Sequence, residues 1–308
     1  MPDAEIQAAV ARLRAGELVG IPTETVYGLG ADAENDDAVA RIFAVKRRPR
    51  NHPLIVHLAL GASLDGWVSE ATPDARVLAK AFWPGPLTMI LPRGPRSHLE
   101  VTGGQNTVAV RVPAHPVAQQ LLRAFGGGIA APSANRFGSV SPTTAQHVRD
   151  DLGHDVACVL DGGPCGVGIE STIVDLSRGR PILLRPGSVS REQLSAVLGR
   201  EVEVNSNDAA VRVSGQLESH YAPRARVEIV ERESVAARER AARDHNERIT
   251  VLDASGINES IDDIARNLYE NLRQADLDGI ERVLVILPTD EGLGLAVRDR
   301  LMRAAGPR

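Results

Sequence analysis

Ile6, Val10 and Leu13 recur at helical spacing among charged residues, predicting an amphipathic helix over about residues 4–15. The apolar run that follows stops at Pro22 and gives way to a turn rich in threonine and glycine, "PTETVYGLG" (22–30). The same reading predicts helices over 36–45, 73–82 and 116–125, and strands over 53–60, in "PLTMILP" and over 106–113. "GGIAAPSAN" reads as a buried strand breaking into a loop, after which Ser141 and Pro142 carry the N-cap and first-turn signals of a helix over about 142–151. "VACVLDGG", "ESTIVDLS" and "PILLRPG" supply further strands. Strands interleaved with helices imply an α/β or α+β sheet domain. Over 201–224 the periodicity weakens between Gly and Pro, predicting a linker. Beyond it "VEIV", "RITVLD" and "RVLVILP" each precede a helical stretch (about 234–245, 259–275 and 293–305), a small β-α unit of parallel type.

Composition narrows this picture. A chain of 308 residues with 43% hydrophobic and 24% charged residues is globular and long enough for one large unit or a large and a small one. Aromatics are only 3% of the chain and the net charge is −5, which disfavours a stacking platform or a general coat for nucleic acid. Cys158 and Cys165 are too few for a disulfide framework and lack metal-type spacing, so they read as reduced cytosolic thiols. The N-terminus is not a signal peptide, and no apolar run approaches the roughly 18 residues of a membrane helix. A soluble cytoplasmic protein without membrane partners is the expectation.

Against the acidic background, "KRRPRNHPLIVH" (46–57) gathers four cations and two histidines, and of 35 Lys and Arg residues only Lys46 and Lys80 are lysine. This reads either as a solvated helix end or as a phosphate wall in which Lys46 is a compact point charge. No P-loop is present, and "GGGIAA" follows a helix instead of a strand, so no dinucleotide fingerprint survives. "PTETVYGLG" can bring backbone N–H groups and the Thr25 hydroxyl close to a ligand, or be a polar turn. "APSANRFGSVSPTTAQ" (131–146) sets Ser133, Asn135, Ser139 and Ser141 ahead of the expected helix start, an anion seat or a simple cap. Arg111 and Arg185 lie in apolar strands and need partners, because an unpaired buried charge costs several kcal/mol. No carboxylate pair suits a glycosidase or a metal cage, and no G-x-S-x-G occurs, so no protein-held metal is expected. Hydroxyls, arginines, one lysine and glycine turns suit phosphate positioning and nucleotidyl transfer.

In this order, "PTETVYGLG", "KRRPRNHPLIVHL", "FWPGPLTMIL", "TVAVRVP", "APSANRFGSVSPT", "GIESTIVDL", "LLRPG" and "HYAPR" resemble the YrdC-type L-threonylcarbamoyladenylate synthases in their two-domain form. The motifs run from about residue 20 to 224, and the remainder matches by position and fold pattern only. The resemblance implies a large YrdC-like twisted open sheet with flanking helices (1–200), a linker or lid (201–224) and a small Rossmann-like parallel α/β domain (225–308). It implies a nucleotidyltransferase that condenses L-threonine, bicarbonate or CO2, and ATP into threonylcarbamoyl-AMP and pyrophosphate, with Mg2+. A separate tRNA threonylcarbamoyl-transferase complex would consume the product in modifying the adenosine next to the anticodon.

Carried over by motif, Thr25, His57, Arg111, Ala131 and Ser171 are the threonine-side residues. Lys46, Arg48, His52, Thr107, Ser133, Asn135, Ser141, Arg185 and Tyr221 are on the ATP side, with Lys46 and Arg48 neutralising charge on the phosphates. His52 stands where many relatives have Asn. Ser214, Gly215 and Gln216 stand where the family often has Pro-Gly-Met. Tyr221 resembles the residue that folds over the nucleotide. Two rival readings stand beside this one. Hydrogenase-maturation carbamoyltransferases carry zinc-finger cysteines that this chain lacks. A double-stranded RNA-binding module without catalysis would use a concave basic surface and bind RNA weakly and salt-sensitively.

Overall fold

A computed structural model describes residues 2–204, 211–213, 215 and 220–307. The first part of the chain runs Asp3–Arg14 (α1), Val19–Ile21 (β1), Gly28–Asp32 (β2), Asp36–Lys46 (α2), Ile55–His57 (β3), Pro73–Phe82 (α3), Leu87–Pro92 (β4), Leu99–Thr102 (α4), Thr107–Arg111 (β5), Pro116–Phe125 (α5) and Ile129–Ala130 (β6). It continues through Ala145–Leu152 (α6), Cys158–Val159 (β7), Thr172–Asp175 (β8), Ile182–Arg185 (β9), Arg191–Leu198 (α7) and Glu203–Val204 (β10). The rest is Arg226–Ile229 (β11), Val235–Asp244 (α8), Ile249–Asp253 (β12), Ile261–Leu277 (α9), Arg282–Ile286 (β13) and Gly292–Ala304 (α10). No described helix is long and apolar enough to cross a membrane.

Local chemistry sets several helix starts. Asn35, Thr72 and Ser260 accept from the amide three residues on, and Ser190 closes a capping box with Gln193. The helix expected from residue 142 begins at Ala145: Thr144, not Ser141, is its cap, accepting from the His147 amide at 3.2 Å. The Pro142 carbonyl instead accepts from the Tyr27 amide at 2.9 Å, which ties residue 142 to the loop before β2. The capping signal three residues further on wins, so no helix N-terminus stands at Ser141 to seat an anion.

Ten strands form a mixed sheet in the order β10-β9-β8-β4-β5-β3-β6-β2-β1-β7. Side chains alternate across a strand, so "TVAVR" sends Val108 and Val110 to one face and Thr107, Ala109 and Arg111 to the other. The first face packs Val56, Met89, Leu91, Val110, Val174 and Leu183 with Val39, Ile42, Phe43, Leu78 and Leu194 of α2, α3 and α7. The second carries Ile55, Ile90, Ala109, Ile173 and Leu184, packed with Val211 and Val213 of the linker. Register draws a transverse row on that second face: His57 pairs with Arg111, Arg111 with Thr88, Thr88 with Ile173, and Ile173 with Arg185. Two strand arginines far apart in sequence thereby face the same space.

The C-terminal strands form a separate, wholly parallel sheet in the order β11-β13-β12. Ile264, Leu268, Tyr269 and Leu272 of α9 share an apolar cluster with Val26, Val140 and Ile169 of the large unit. Arg273 of α9 donates to Asp151 and to the Val140 carbonyl, both at 2.6 Å. Gly168, at φ +82°, brings its loop so close to α9 that a Cβ would lie 2.4 Å from Arg266 backbone atoms. The two units are therefore packed directly behind the loops that carry the site.

Candidate active site

The row of polar side chains opens into a recess lined by Thr25, Arg48, His57, Arg111, Ser133, Ser171 and Arg185. On one side lies Arg111, buried, with each guanidinium nitrogen committed once: Nε to the Gly85 carbonyl at 3.2 Å, Nη1 to the Thr25 hydroxyl at 2.9 Å and Nη2 to Glu24 at 2.7 Å. The other Glu24 oxygen accepts from the Ala114 amide at 3.0 Å. Burial pushes the Glu24 pKa up, but Arg111 outweighs it and holds the carboxyl below its ordinary value. Thr25 is fixed by Thr23, whose hydroxyl lies 2.8 Å away and also donates to the Val26 carbonyl.

Beside Arg111, burial and then the Arg111 charge push the His57 pKa down to about 3. The imidazole is therefore neutral at pH 7 and adds no second positive charge there. Below about pH 6.5 the unfolded chain takes up a proton that folded His57 refuses, so its contribution to stability is lost as pH falls from about 6.5 toward 3. The urea midpoint is expected to fall across that window, and less steeply in His57→Asn. An equal slope in the variant would contradict this.

On the other side stand Arg48, Ser133 and Arg185. Arg47 ends α2 in a left-handed conformation at φ 54°, turning the chain so that the Arg48 amide bonds the Phe43 carbonyl while its guanidinium enters the recess and bonds the Pro53 carbonyl. Burial lowers the Arg48 pKa to about 10, which leaves it charged at pH 7. Arg185 grips Ser171 at its carbonyl (3.0 Å) and hydroxyl (3.1 Å), and Ser171 in turn meets the Thr88 hydroxyl at 2.7 Å. Tyr221 and His220 of the linker close over this side. The Tyr221 hydroxyl and His220 Nδ1 are buried without a hydrogen-bond partner among the described residues.

At the back wall sits Glu170. Its carboxylate accepts from the Ser141 hydroxyl at 2.6 Å and from Tyr269 and Arg300 of the C-terminal unit, both at 2.8 Å. Burial would raise its pKa, but the charges of Arg300 and Arg185 and the bond from Ser141 together hold it at about 2. Glu170 is therefore an anion at pH 7 despite its burial.

Of the residues singled out in the sequence, Thr25, Arg48, His57, Arg111, Ala131, Ser133, Ser171, Arg185 and Tyr221 line the recess. Lys46 and Asn135 lie behind its wall. The Lys46 ammonium, buried and with its pKa pushed well down by that burial, donates to the Ser133 and Asn135 carbonyls and so staples the loop that presents Ser133. Ser141 faces Glu170, and His52 meets the edge of Phe137 at 5.5 Å. Thr107 opens into a smaller cleft with Ile90, Val211 and Val213 that shares Ile55 with the recess. Ser214 and Gln216 lie outside the described residues, while Gly215 lines the recess, where a Cβ would come within 2.2 Å of the Tyr221 hydroxyl. Sequence reasoning missed Glu24, Glu170, Thr23 and His220. Glu24 had a signal, because an arginine in an apolar strand requires an acidic partner and Glu24 sits inside a motif already singled out, whereas Glu170 pairs with Arg300 on a helix 130 residues away.

A mixed sheet whose open face gathers buried arginines, hydroxyls and a linker cover, backed by a small parallel α/β unit, is the design of a nucleotidyltransferase with a YrdC-like domain. Residues 11–187 match the family model described as telomere recombination, and residues 189–306 match the threonylcarbamoyl-AMP synthase C-terminal domain. The chain is 40% identical to the threonylcarbamoyl-AMP synthase of Pyrococcus abyssi, over 99% of this chain and 95% of that one. It is also 40% identical to the Bacillus subtilis threonylcarbamoyl-AMP synthase, over 99% and 94%. The crystal structure of P. abyssi Sua5 complexed with L-threonine superposes with a TM-score of 0.92 at 39% identity, covering 99% of this chain and 95% of that one. The chain belongs to the two-domain Sua5/YrdC-type threonylcarbamoyl-AMP synthases and is an enzyme of that activity. The reading as a non-catalytic RNA-binding module falls with that membership.

Proposed function

We propose that the recess joins L-threonine, CO2 or bicarbonate, and ATP, with Arg111 and the Arg48–Arg185 pair receiving the two anionic substrates separately. The observation that carries this is the transverse row, which sets two arginine groups on one open sheet face. Arg111 has five N–H donors and three are engaged, leaving two for the threonine carboxylate beside Thr25. Neutral His57, Ala131 and Ser171 complete that side. The threonine amine captures CO2, releasing a proton and forming a carbamate. A carbamate oxygen then attacks the α-phosphorus, and pyrophosphate leaves.

Arg48, Arg185 and Ser133 neutralise charge on the phosphates, and Lys46 acts by holding Ser133 in place. The apolar cleft at Thr107 takes the nucleoside end of ATP. Among the described residues no group of three His, Cys, Asp or Glu could hold a metal, and Glu170 is occupied by its own partners. The recess therefore fits Mg2+ arriving on the triphosphate oxygens, where it would supply further charge neutralisation. Tyr221 and His220 shelter the labile carbamate from water. The product passes to a separate tRNA threonylcarbamoyl-transferase complex.

The test is pyrophosphate release by the purified full-length chain with ATP, Mg2+ and bicarbonate, with and without L-threonine. Release is expected only with threonine; threonine-independent release sinks the reading. Arg48→Ala is expected to lower turnover by about 10²-fold with an unchanged circular dichroism spectrum.

A further inference from the structure

Tyr221 holds a left-handed backbone at φ 62°, which a residue with a Cβ rarely keeps unless its surroundings fix it. Those surroundings come from the C-terminal unit. The Tyr221 ring stacks on Tyr269 of α9 at 5.7 Å and 28°, and the Arg300 guanidinium of α10 lies 5.4 Å from its centroid. The same two side chains hold Glu170, whose other oxygen holds Ser141. Arg300 is fully buried, and its Nη1 is neutralised by Asp299 at 2.7 Å. By contrast the side-chain hydrogen bonds of Arg111 and Thr25 run to Gly85, Glu24 and Thr23, and among the described residues none of these three bonds Tyr221, Tyr269, Arg300 or the Glu170 carboxylate.

We propose that Tyr269 and Arg300 are positioning residues for the nucleotide: through Tyr221 and Ser141 the C-terminal unit shapes the ATP side of the recess and leaves the threonine side unaffected. This rests on the placement of ATP beside Arg48 and Arg185. Tyr269 and Arg300 would meet no substrate themselves. The small unit is then part of the nucleotide seat and not an appended module with a ligand of its own.

The experiment uses full-length Tyr269→Leu, Tyr269→Phe, Arg300→Lys and Arg48→Ala, with KM for ATP and for threonine read separately from pyrophosphate release and thermal melting as the check on folding. Tyr269→Leu is expected to raise the KM for ATP tenfold or more while the KM for threonine stays within twofold. Tyr269→Phe keeps the stacked ring and should recover most of the loss. Arg300→Lys keeps the charge but loses the planar face over Tyr221; it carries the same expectation and serves if Tyr269→Leu does not fold. An ATP KM within twofold of the parent in a folded variant, or both KM values rising together, overturns the proposal. If Arg48→Ala leaves the ATP KM unmoved, the placement of ATP is what fails. If Arg48→Ala raises it and the Tyr269 and Arg300 variants do not, the placement stands and the coupling falls.

Discussion

Arg111→Ala is expected to lower kcat/KM for threonine by 10³-fold or more while leaving the affinity for a non-hydrolysable ATP analogue within about threefold. The substitution removes the carboxylate partner proposed for threonine and also strands Glu24, a mostly buried anion left with the Ala114 amide. Breaking a buried pair by deleting one member costs roughly 3–5 kcal/mol, so the variant should also be less stable. Glu24→Gln in the same chain should restore much of that stability and none of the threonine use, separating the two effects. Arg111→Lys should not rescue either. The guanidinium serves Gly85, Thr25 and Glu24 from three different nitrogens, a fork that one ammonium cannot reproduce. Initial rates against threonine concentration, with calorimetry of analogue binding, measure both arms; near-parental threonine saturation in Arg111→Ala would remove Arg111 from the site.

Arg300→Met should destabilise the chain by about 3–5 kcal/mol in urea unfolding, because it leaves Glu170 charged and buried with only Ser141 and Tyr269 to satisfy it. The double variant Arg300→Met/Glu170→Leu replaces the pair with apolar groups and should recover part of that loss. It should not recover ATP use, because Ser141 is then left without its acceptor. Equal stability of the single and double variants would show that the Glu170 charge is not what the single variant exposes.

The sequence made the periodic parts legible. The alternation of "TVAVR" set which face Arg111 takes, and the spacing of apolar residues located α1, α3 and α5 closely. What escaped depended on distant partners or on competing local signals. The partners of Glu170 in the C-terminal unit lie 99 and 130 residues away, so nothing local to "GIEST" marks that carboxylate as an anchor. Arg47 adopts the left-handed turn usually given to glycine, and only the packing around it could reveal that. The cap expected at Ser141 stands at Thr144 instead, because tertiary bonds hold Ser141 to Glu170 and Pro142 to Tyr27. The cationic neighbours of Lys46 could not show that its ammonium also bonds the Ser133 and Asn135 carbonyls, which lie 87 and 89 residues away. α4, α7 and β10 were too short or too weakly patterned to anticipate.

The close seating of Gly168 against Arg266 bears on where this chain divides. The family boundaries fall at residues 187 and 189 and treat what lies on each side as separately heritable. Gly168 and Glu170 belong to the first segment by descent, yet their contacts with Arg266, Tyr269 and Arg300 are to the second. The inherited boundary and the packing boundary therefore fall at different places in the chain, and recombination at the former would keep the motifs up to "LLRPG" while discarding Tyr221 and the Tyr269 and Arg300 side chains that hold Glu170.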